Sequence, residues 1–341
     1  VGGPTQGTYR NRGEPIMRRL SVLYMPHPKD VVNEAWGDDI QSAIRADHDV
    51  RVFDRSQAAA SQFQNVEVIV DLGGNIRAEW VDMAADAGVK YIQVQTNGLD
   101  HVEVDKIIGA GMLLAHCPGD LSSSSLAEGA MMFILMLAHR YGEGRLNFHA
   151  GIMNTPMGME IEGQTLLIVG FGASGQALAR RARSFGMRIQ AIDIRQIEQE
   201  ILDEIKPDFV GSPEDLDRLI AECDFISVHL HLTDATRHTI DARRIGLMKP
   251  TAYVINVSRG ELVDEAALYQ AIVEKRIGGA GFDAFAEEPP DITLPVYKLP
   301  NMYVQPHTAV GTDGTSRKRA AFARDNLARY ARGEEVVARV G

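Results

Sequence analysis

The sequence predicts an α/β protein made of two doubly wound parallel-sheet domains, one inserted in the other. Three observations carry this reading. Short apolar runs alternate with helical patterns in both halves of the 341-residue chain, and such alternation builds parallel sheets covered by helices. A long apolar helical stretch at 122–146 separates the two series. A glycine-rich turn at 170–175 opens the second series between an apolar strand and a helix. The length suffices for two separate cores.

Residues 1–15, "VGGPTQGTYRNRGEP", are Gly-rich and polar and lack the apolar stretch of a secretory signal. They read as a flexible leader, with Met17 as a native start. The first series follows, with strands expected at 19–26, 49–54, 66–72 and 90–96 and helices at 31–44 and 78–88, the latter closed by Gly88. Serines at 122–125 and Glu128 then mark the start of a helix running to 146. That helix is apolar nearly all round, so it should be buried on several sides as a domain connector or a dimer contact. The second series has strands at 164–170, 188–193, 224–230, 252–257, 279–285 and 302–306. Its helices are at 174–185, 213–221, 241–247 and 264–274, and a basic helix closes the chain.

Composition narrows the function. Lys plus Arg is 35 against 46 Asp plus Glu, a net charge of −11, which argues against a nucleic-acid partner because that needs a basic face. The apolar run "AMMFILMLA" at 130–138 is too short to span a membrane. Two cysteines, Cys117 and Cys223, lie in apolar surroundings with neither disulfide nor zinc spacing, so they read as buried thiols and no metal site is evident. A cytoplasmic compartment is expected.

"IVGFGASG" at 168–175 carries G-x-G-x-x-G at Gly170, Gly172 and Gly175. The pattern alone is weak, but here it follows a strand and opens a helix, the context of a dinucleotide site. Gly170 permits the tight turn, Gly172 lets backbone approach a pyrophosphate, and Gly175 lets helix pack on strand. The helix N-terminus favours the phosphate charge. Asp193, 23 residues beyond Gly170, suits a ribose 2′-OH and repels a 2′-phosphate, favouring NAD over NADP. Arg195 tempers that preference, since an arginine accommodates the phosphate.

Reactive side chains follow three later strands: Arg259 in "NVSRG", Glu287 and Glu288 in "FAEEPP", and His307 in "QPHT". In an open α/β sheet, ligands bind outside the carboxyl ends of the strands. A lone arginine there is usually a surface charge, and a Pro-His pair is usually structural. In this order, after the fingerprint, they read together as a reaction site.

With these stretches the chain resembles the D-isomer-specific 2-hydroxyacid dehydrogenases, the group that includes glyoxylate and hydroxypyruvate reductases and D-3-phosphoglycerate dehydrogenases. The resemblance runs from about residue 66 to 320, through "TNGLDHVEVD", "LAEGAMMFILMLAHR", "LMKPTAYVINVSRGELVDEAAL", "GFDAFAEEPP" and "PHTAVGT". It implies a Rossmann cofactor domain inserted in a flavodoxin-like substrate domain. Residues 16–119 and 308–341 would form the substrate domain and 120–307 the NAD-binding domain, closing over a cleft between them.

The resemblance also implies roles. Arg259 would hold the substrate carboxylate and its carbonyl or hydroxyl oxygen. His307 would be acid in reduction and base in oxidation. Glu288, just before Pro289, would bond the other ring nitrogen, and Glu287 would be its solvated neighbour. Asp283, Ala173, Ser174, Leu230, Val257 and Asn97 would flank NAD(H). Leu72, Gly73 and Gly74 would line the substrate site, the glycines offering backbone N–H groups to the carboxylate; a plain tight turn is the alternative. The partner would be a small 2-hydroxy or 2-oxo acid, and the assembly a homodimer.

Two positions depart from the family pattern: His231 stands where proline is usual, and Ala284 where valine is. Neither removes a reacting group. An NAD(H)-sensing corepressor-like protein and a phosphite dehydrogenase remain as alternative functions on this fold. Formate dehydrogenases carry Gln where Glu288 stands, which disfavours that activity.

Overall fold

The structure is a computed structural model and describes residues 17–27 and 34–341. The expected leader, and residues 31–33 of the first expected helix, lie outside them. The chain divides into two compact units, one running to Pro118 and taking in Ser316–Gly341, the other comprising Gly119–Thr315.

The first unit runs β1 (Ser21–Met25), α1 (Glu34–Arg45), β2 (Asp49–Val52), α2 (Ala59–Gln62), β3 (Val68–Asp71), α3 (Ala78–Asp86), β4 (Tyr91–Val94), α4 (Val104–Gly109) and β5 (Leu113–Ala115). These strands form a parallel sheet in the order β5-β4-β3-β1-β2, the flavodoxin-like order. Alternation along β1 explains the double winding. Leu23 and Met25 face one apolar cluster with Ile69 and Ile92, while Val22 and Tyr24 face another with Val68 and Tyr91. Both faces are therefore buried, and each fully buried aliphatic side chain stabilises by about 1.5–3 kcal/mol.

The second unit opens with α5 (Asp120–Ala138) and α6 (Tyr141–His149). It continues through β6 (Thr165–Val169), α7 (Ala173–Ser184), β7 (Arg188–Ile192), α8 (Gln199–Ile205), β8 (Phe209–Gly211) and α9 (Leu216–Glu222). Then come β9 (Phe225–Val228), α10 (Ala242–Ile245), β10 (Tyr253–Asn256), α11 (Glu265–Val273), β11 (Gly279–Phe282) and β12 (Met302–Val304). Its seven strands pair in parallel in the order β12-β11-β10-β9-β6-β7-β8, a Rossmann sheet with one added strand. Residues 308–315 are tied into this unit: Ser125 Oγ lies 2.6 Å from both Thr312 Oγ1 and Thr315 Oγ1. From there α12 (Asp313–Ala331) leads into the first unit, where β13 (Arg339–Val340) adds antiparallel to β5.

The single helix expected over 122–146 is two helices. Arg140 adopts φ 51°, in the left-handed region, and ends the first run. Close packing fixes the start of the second, because a Cβ on Gly142 would lie 2.2 Å from the Pro300 carbonyl oxygen. By length and composition α5 could cross a bilayer, but here it packs on α7, β10 and β11, burying Ala127, Ala130, Phe133, Ile134 and Leu137. Cys117 and Cys223 are both buried, as their surroundings predict.

Candidate active site

The fingerprint turn leaves β6 at Gly170. Its φ is +98°, and an added Cβ would lie 2.5 Å from the His229 carbonyl oxygen, so only glycine fits. At Gly175 a Cβ would meet the Gly170 oxygen at 2.2 Å, which lets α7 start hard against β6. Gly172 is different. The nearest atom to an added Cβ there is Arg195 Nη2 at 3.8 Å, so the turn presents bare backbone to open space. That open side, followed at once by the N-terminus of α7, is what a dinucleotide pyrophosphate requires, and the residues fit NAD. Ala173 is exposed and Ser174 half-buried in the first helical turn.

Ser174 Oγ bonds His229 Nδ1 at 3.1 Å, and His229 Nε2 bonds Ser227 Oγ at 2.9 Å. Burial alone drives His229 down to about 4, so a neutral ring ties α7 to the end of β9. Sequence reasoning missed this residue; the available signal was a histidine inside an apolar strand beside the fingerprint strand. Leu230 follows it, half-buried. Asp193 stands just beyond β7 and accepts the Phe171 N–H at 2.8 Å. Burial pushes its carboxyl up, but bonds from Arg195 and Phe171, with the Arg195 charge, hold it below the usual range.

The candidate cluster of Arg259, Glu288 and His307 also lies in this unit, at the ends of β10, β11 and β12. Asn256, fully buried, donates to the Arg259 carbonyl at 2.8 Å and accepts the Ser258 N–H at 3.1 Å. Together with buried Val257 it shapes the turn that carries half-buried Arg259. The next residue, Gly260, is sterically required: a Cβ there would lie 2.0 Å from both the Ala286 nitrogen and the Phe285 carbonyl carbon. That contact sets the Arg259 turn against the loop carrying Glu288. Glu265 fastens the same loop by accepting the Ala286 N–H at 2.8 Å.

His307 Nδ1 lies 2.9 Å from each oxygen of Glu288. Burial pushes the Glu288 carboxyl up, but the His307 bond and charge, the Phe285 N–H and the Arg259 charge outweigh it, leaving the carboxyl below its usual range. His307 has φ 56°, a left-handed conformation that costs a non-glycine residue roughly 1–3 kcal/mol and persists only when its surroundings enforce it. Asp283 supplies the enforcement. Its carbonyl accepts the His307 N–H at 2.8 Å, and its buried carboxylate accepts Thr308 and Ala309 N–H groups at 2.7 and 3.0 Å. Burial nevertheless leaves the Asp283 carboxyl raised. The anchoring by Asp283 was not foreseen, because it joins segments far apart in sequence; Asn256, whose bonds reach only two and three residues along the chain, was passed over inside its strand. Glu287 is exposed.

Leu72, Gly73, Gly74 and Asn97 belong to the other unit, at the ends of the paired strands β3 and β4. Leu72 is buried, and Gly74 has φ 67°. Asp71 shapes the turn by accepting Gly73 N–H at 3.2 Å and Ile76 N–H at 2.9 Å. The Asn97 carbonyl lies 3.1 Å from His116 Nδ1. Among the described residues, no group of three or more His, Cys, Asp or Glu side chains is placed to hold a metal ion.

The NAD binding domain of the D-isomer specific 2-hydroxyacid dehydrogenases matches residues 131–309. A glyoxylate reductase of Korarchaeum cryptofilum is 36% identical over 249 residues, 70% of this chain and 71% of its own. A hydroxypyruvate reductase of Thermotoga maritima is 34% identical over 73% of this chain and 76% of its own. The crystal structure of a Lactobacillus jensenii D-lactate dehydrogenase with NAD+ superposes with a TM-score of 0.78 at 25% identity, covering 94% of this chain and 99% of that one. The chain therefore belongs to the D-isomer specific 2-hydroxyacid dehydrogenases, NAD-dependent oxidoreductases that act on CH–OH donors, and Gly119–Thr315 holds its NAD-binding domain.

Proposed function

We propose that the protein interconverts a small 2-oxo acid and the D-2-hydroxy acid, with His307 as proton carrier, Glu288 as its positioning partner and Arg259 as substrate anchor. The observation that carries this is the His307–Glu288 pair, at 2.9 Å to both carboxylate oxygens, with Arg259 close enough to act on the same carboxyl. A carboxylate on Nδ1 fixes the ring orientation and leaves Nε2 for the substrate oxygen. In reduction that nitrogen gives its proton to the carbonyl oxygen; in oxidation it takes the hydroxyl proton. The Arg259 guanidinium matches a carboxylate with two parallel N–H donors and withdraws charge from the adjacent oxygen. Bound NAD(H) supplies the hydride acceptor or donor for substrate C2. Gly170, Gly172, Ala173, Ser174, Gly175 and Asp193 would hold it, with Leu230, Val257, Asp283 and Asn97 alongside. Leu72, Gly73 and Gly74 would meet the substrate.

The substrate class is tested by NADH oxidation with glyoxylate, hydroxypyruvate, pyruvate and bulkier 2-oxo acids. Turnover is expected on at least one of the small acids, and no turnover on any contradicts the reading. Glu288→Gln should lower kcat by roughly 10²-fold, the low end for a positioned acid–base group, with the NADH dissociation constant unchanged. Stopped-flow reduction and a binding titration separate the two effects.

A homodimer is the assembly proposed. Residues 141–157 expose Tyr141, Leu146, Phe148, Met153 and Met157, with Phe148 69% and Met157 88% exposed, a density of apolar surface that marks an interaction site. Sedimentation equilibrium should give twice the chain mass; the monomer mass would refute it.

A further inference from the structure

Arg319 is a buried cation without a counter-charge. It lies in α12, within the first unit, and is 5% exposed. Its guanidinium rests over the Trp36 ring, 5.0 Å from the centroid. Among the described residues it has no hydrogen bond and no ion pair, and its Nε is sealed from solvent. A ring face is a weak substitute for an anion, since burial of an ion is tolerated when it is paired and hydrogen-bonded. Burial pulls the guanidinium below its usual value, though an arginine stays charged.

A second stranded donor lies close by. Gln95, fully buried, directly follows β4, and its Nε2 has no acceptor. Its Oε1 takes the Cys117 thiol at 3.5 Å, which leaves the amino end as the unpartnered one. Cys117 also acts electrostatically on Arg319, so the same thiol neighbours both donors. The packing of α12 on β4 accounts for this grouping. The Tyr330 and Tyr91 rings lie 5.1 Å apart, and Asn326 Nδ2 donates to Gln93 Oε1 at 2.9 Å. Helix and strand therefore run in opposite directions, one helical turn (about 5.4 Å) to every two strand residues (about 6.6 Å). Continuing that register sets buried Ala323, whose side chain has no polar atom, over Gln95. Arg319 falls one turn further on, past the carboxyl end of the strand, where an open α/β sheet binds ligands.

What both groups lack is an acceptor. The edge of a guanidinium that presents Nε and one Nη offers two parallel N–H donors, which match two oxygens of a carboxylate or phosphate, and the Gln95 amide adds a third. We propose that Arg319 and Gln95 form an oxyanion site in the first unit that takes the acid group of a small molecule. Two sources supply that chemistry: a free anion, or the far end of a 2-oxo acid carrying a second acid group. The second source rests on the proposed reaction. Gln95 adjoins the turn that begins at Leu72, its N–H bonding the Asp71 carbonyl at 2.9 Å.

The test is thermal unfolding of the full chain, with and without inorganic phosphate or glutarate, for wild type, Arg319→Met and Arg319→Lys. Methionine keeps an unbranched chain over Trp36 and removes the charge; lysine keeps the charge without the fork. At saturation one of the two anions should raise the wild-type Tm by about 2 °C or more. The rise should shrink in Arg319→Lys and be lost in Arg319→Met. Anion binding at the glycine-rich turn of the second unit is common to all three proteins, so the difference between wild type and Arg319→Met is the readout. An equal rise in both, or none in wild type with either anion, overturns the proposal. NADH oxidation with 2-oxoglutarate and with 2-oxopentanoate then separates the sources. A fall of about tenfold or more in kcat/KM for the dicarboxylate relative to the monocarboxylate, in Arg319→Met, assigns the site to the substrate. An unmoved ratio beside a lost thermal shift assigns it to a free anion. If no 2-oxo acid turns over, the proposed reaction fails, and the thermal shift still decides the site.

Discussion

Replacing Arg259 by alanine should lower kcat/KM for the preferred 2-oxo acid by about 10³-fold, the loss expected when one member of a desolvated, hydrogen-bonded charge pair is removed. Both kcat and KM should change, because the guanidinium would hold the carboxylate in the ground state and the developing alkoxide in the transition state. Arg259→Lys should recover roughly tenfold, since an ammonium supplies the charge without the planar fork. The fold should survive either change, because Asn256, Gly260 and Ser258 hold the turn alongside the bond from Arg259 Nη1 to the Ser258 carbonyl at 3.0 Å. Ser258 Oγ donates to the Val228 carbonyl at 2.8 Å, and Asn256 bonds the turn backbone. Steady-state kinetics over the substrate panel, with circular dichroism as the folding control, checks this. A loss confined to KM would mean that Arg259 binds the substrate without favouring the transition state.

Much of this arrangement was legible in the sequence. Parallel strands buried on both faces leave short, nearly unbroken apolar runs, and each run in "RLSVLYMP", "VEVIVDL", "QTLLIVG", "DFISVHL" and "AYVINV" contains a strand. The side chains proposed to react stood out for a related reason: each follows closely on the end of a strand, where the sheet opens. What the sequence hid was set at single residues or by distant partners. One left-handed residue, Arg140, divides the apolar stretch into α5 and α6, and no period in the sequence marks a single φ. Strands β5, β8 and β13 are two or three residues long, too short to show an alternation. The short helices α4 and α8 lack the length that makes an apolar period visible. At the site, His229 and the anchoring carboxylate of Asp283 act through bonds to other segments. Their roles appear only once β6, β9, β10 and β11 lie side by side.

The Glu288 carboxyl gives the account a second handle, independent of turnover. Opposed influences act on it: burial, which raises it, and the His307 bond and charge, the Phe285 N–H and the Arg259 charge, which together lower it further than burial lifts it. A carboxyl held below its unfolded value adds stability above that value, and the contribution is lost as pH falls through the folded one. Without the imidazole, burial is left with weaker opposition, so the carboxyl should titrate at higher pH.

The central claim is that His307 carries the proton, and the most direct measurement is single-turnover NADH oxidation by wild type and His307→Asn in parallel, with NADH affinity measured on the same samples. The account predicts a fall of about 10²–10⁴-fold in the rate of the chemical step with NADH affinity unchanged, because a positioned acid–base group contributes that much and the ring is not among the groups assigned to the cofactor. A variant that reduces the 2-oxo acid within a few-fold of the wild-type rate would contradict it, and the His307–Glu288 pair would then be a structural clamp on the turn at the end of β12.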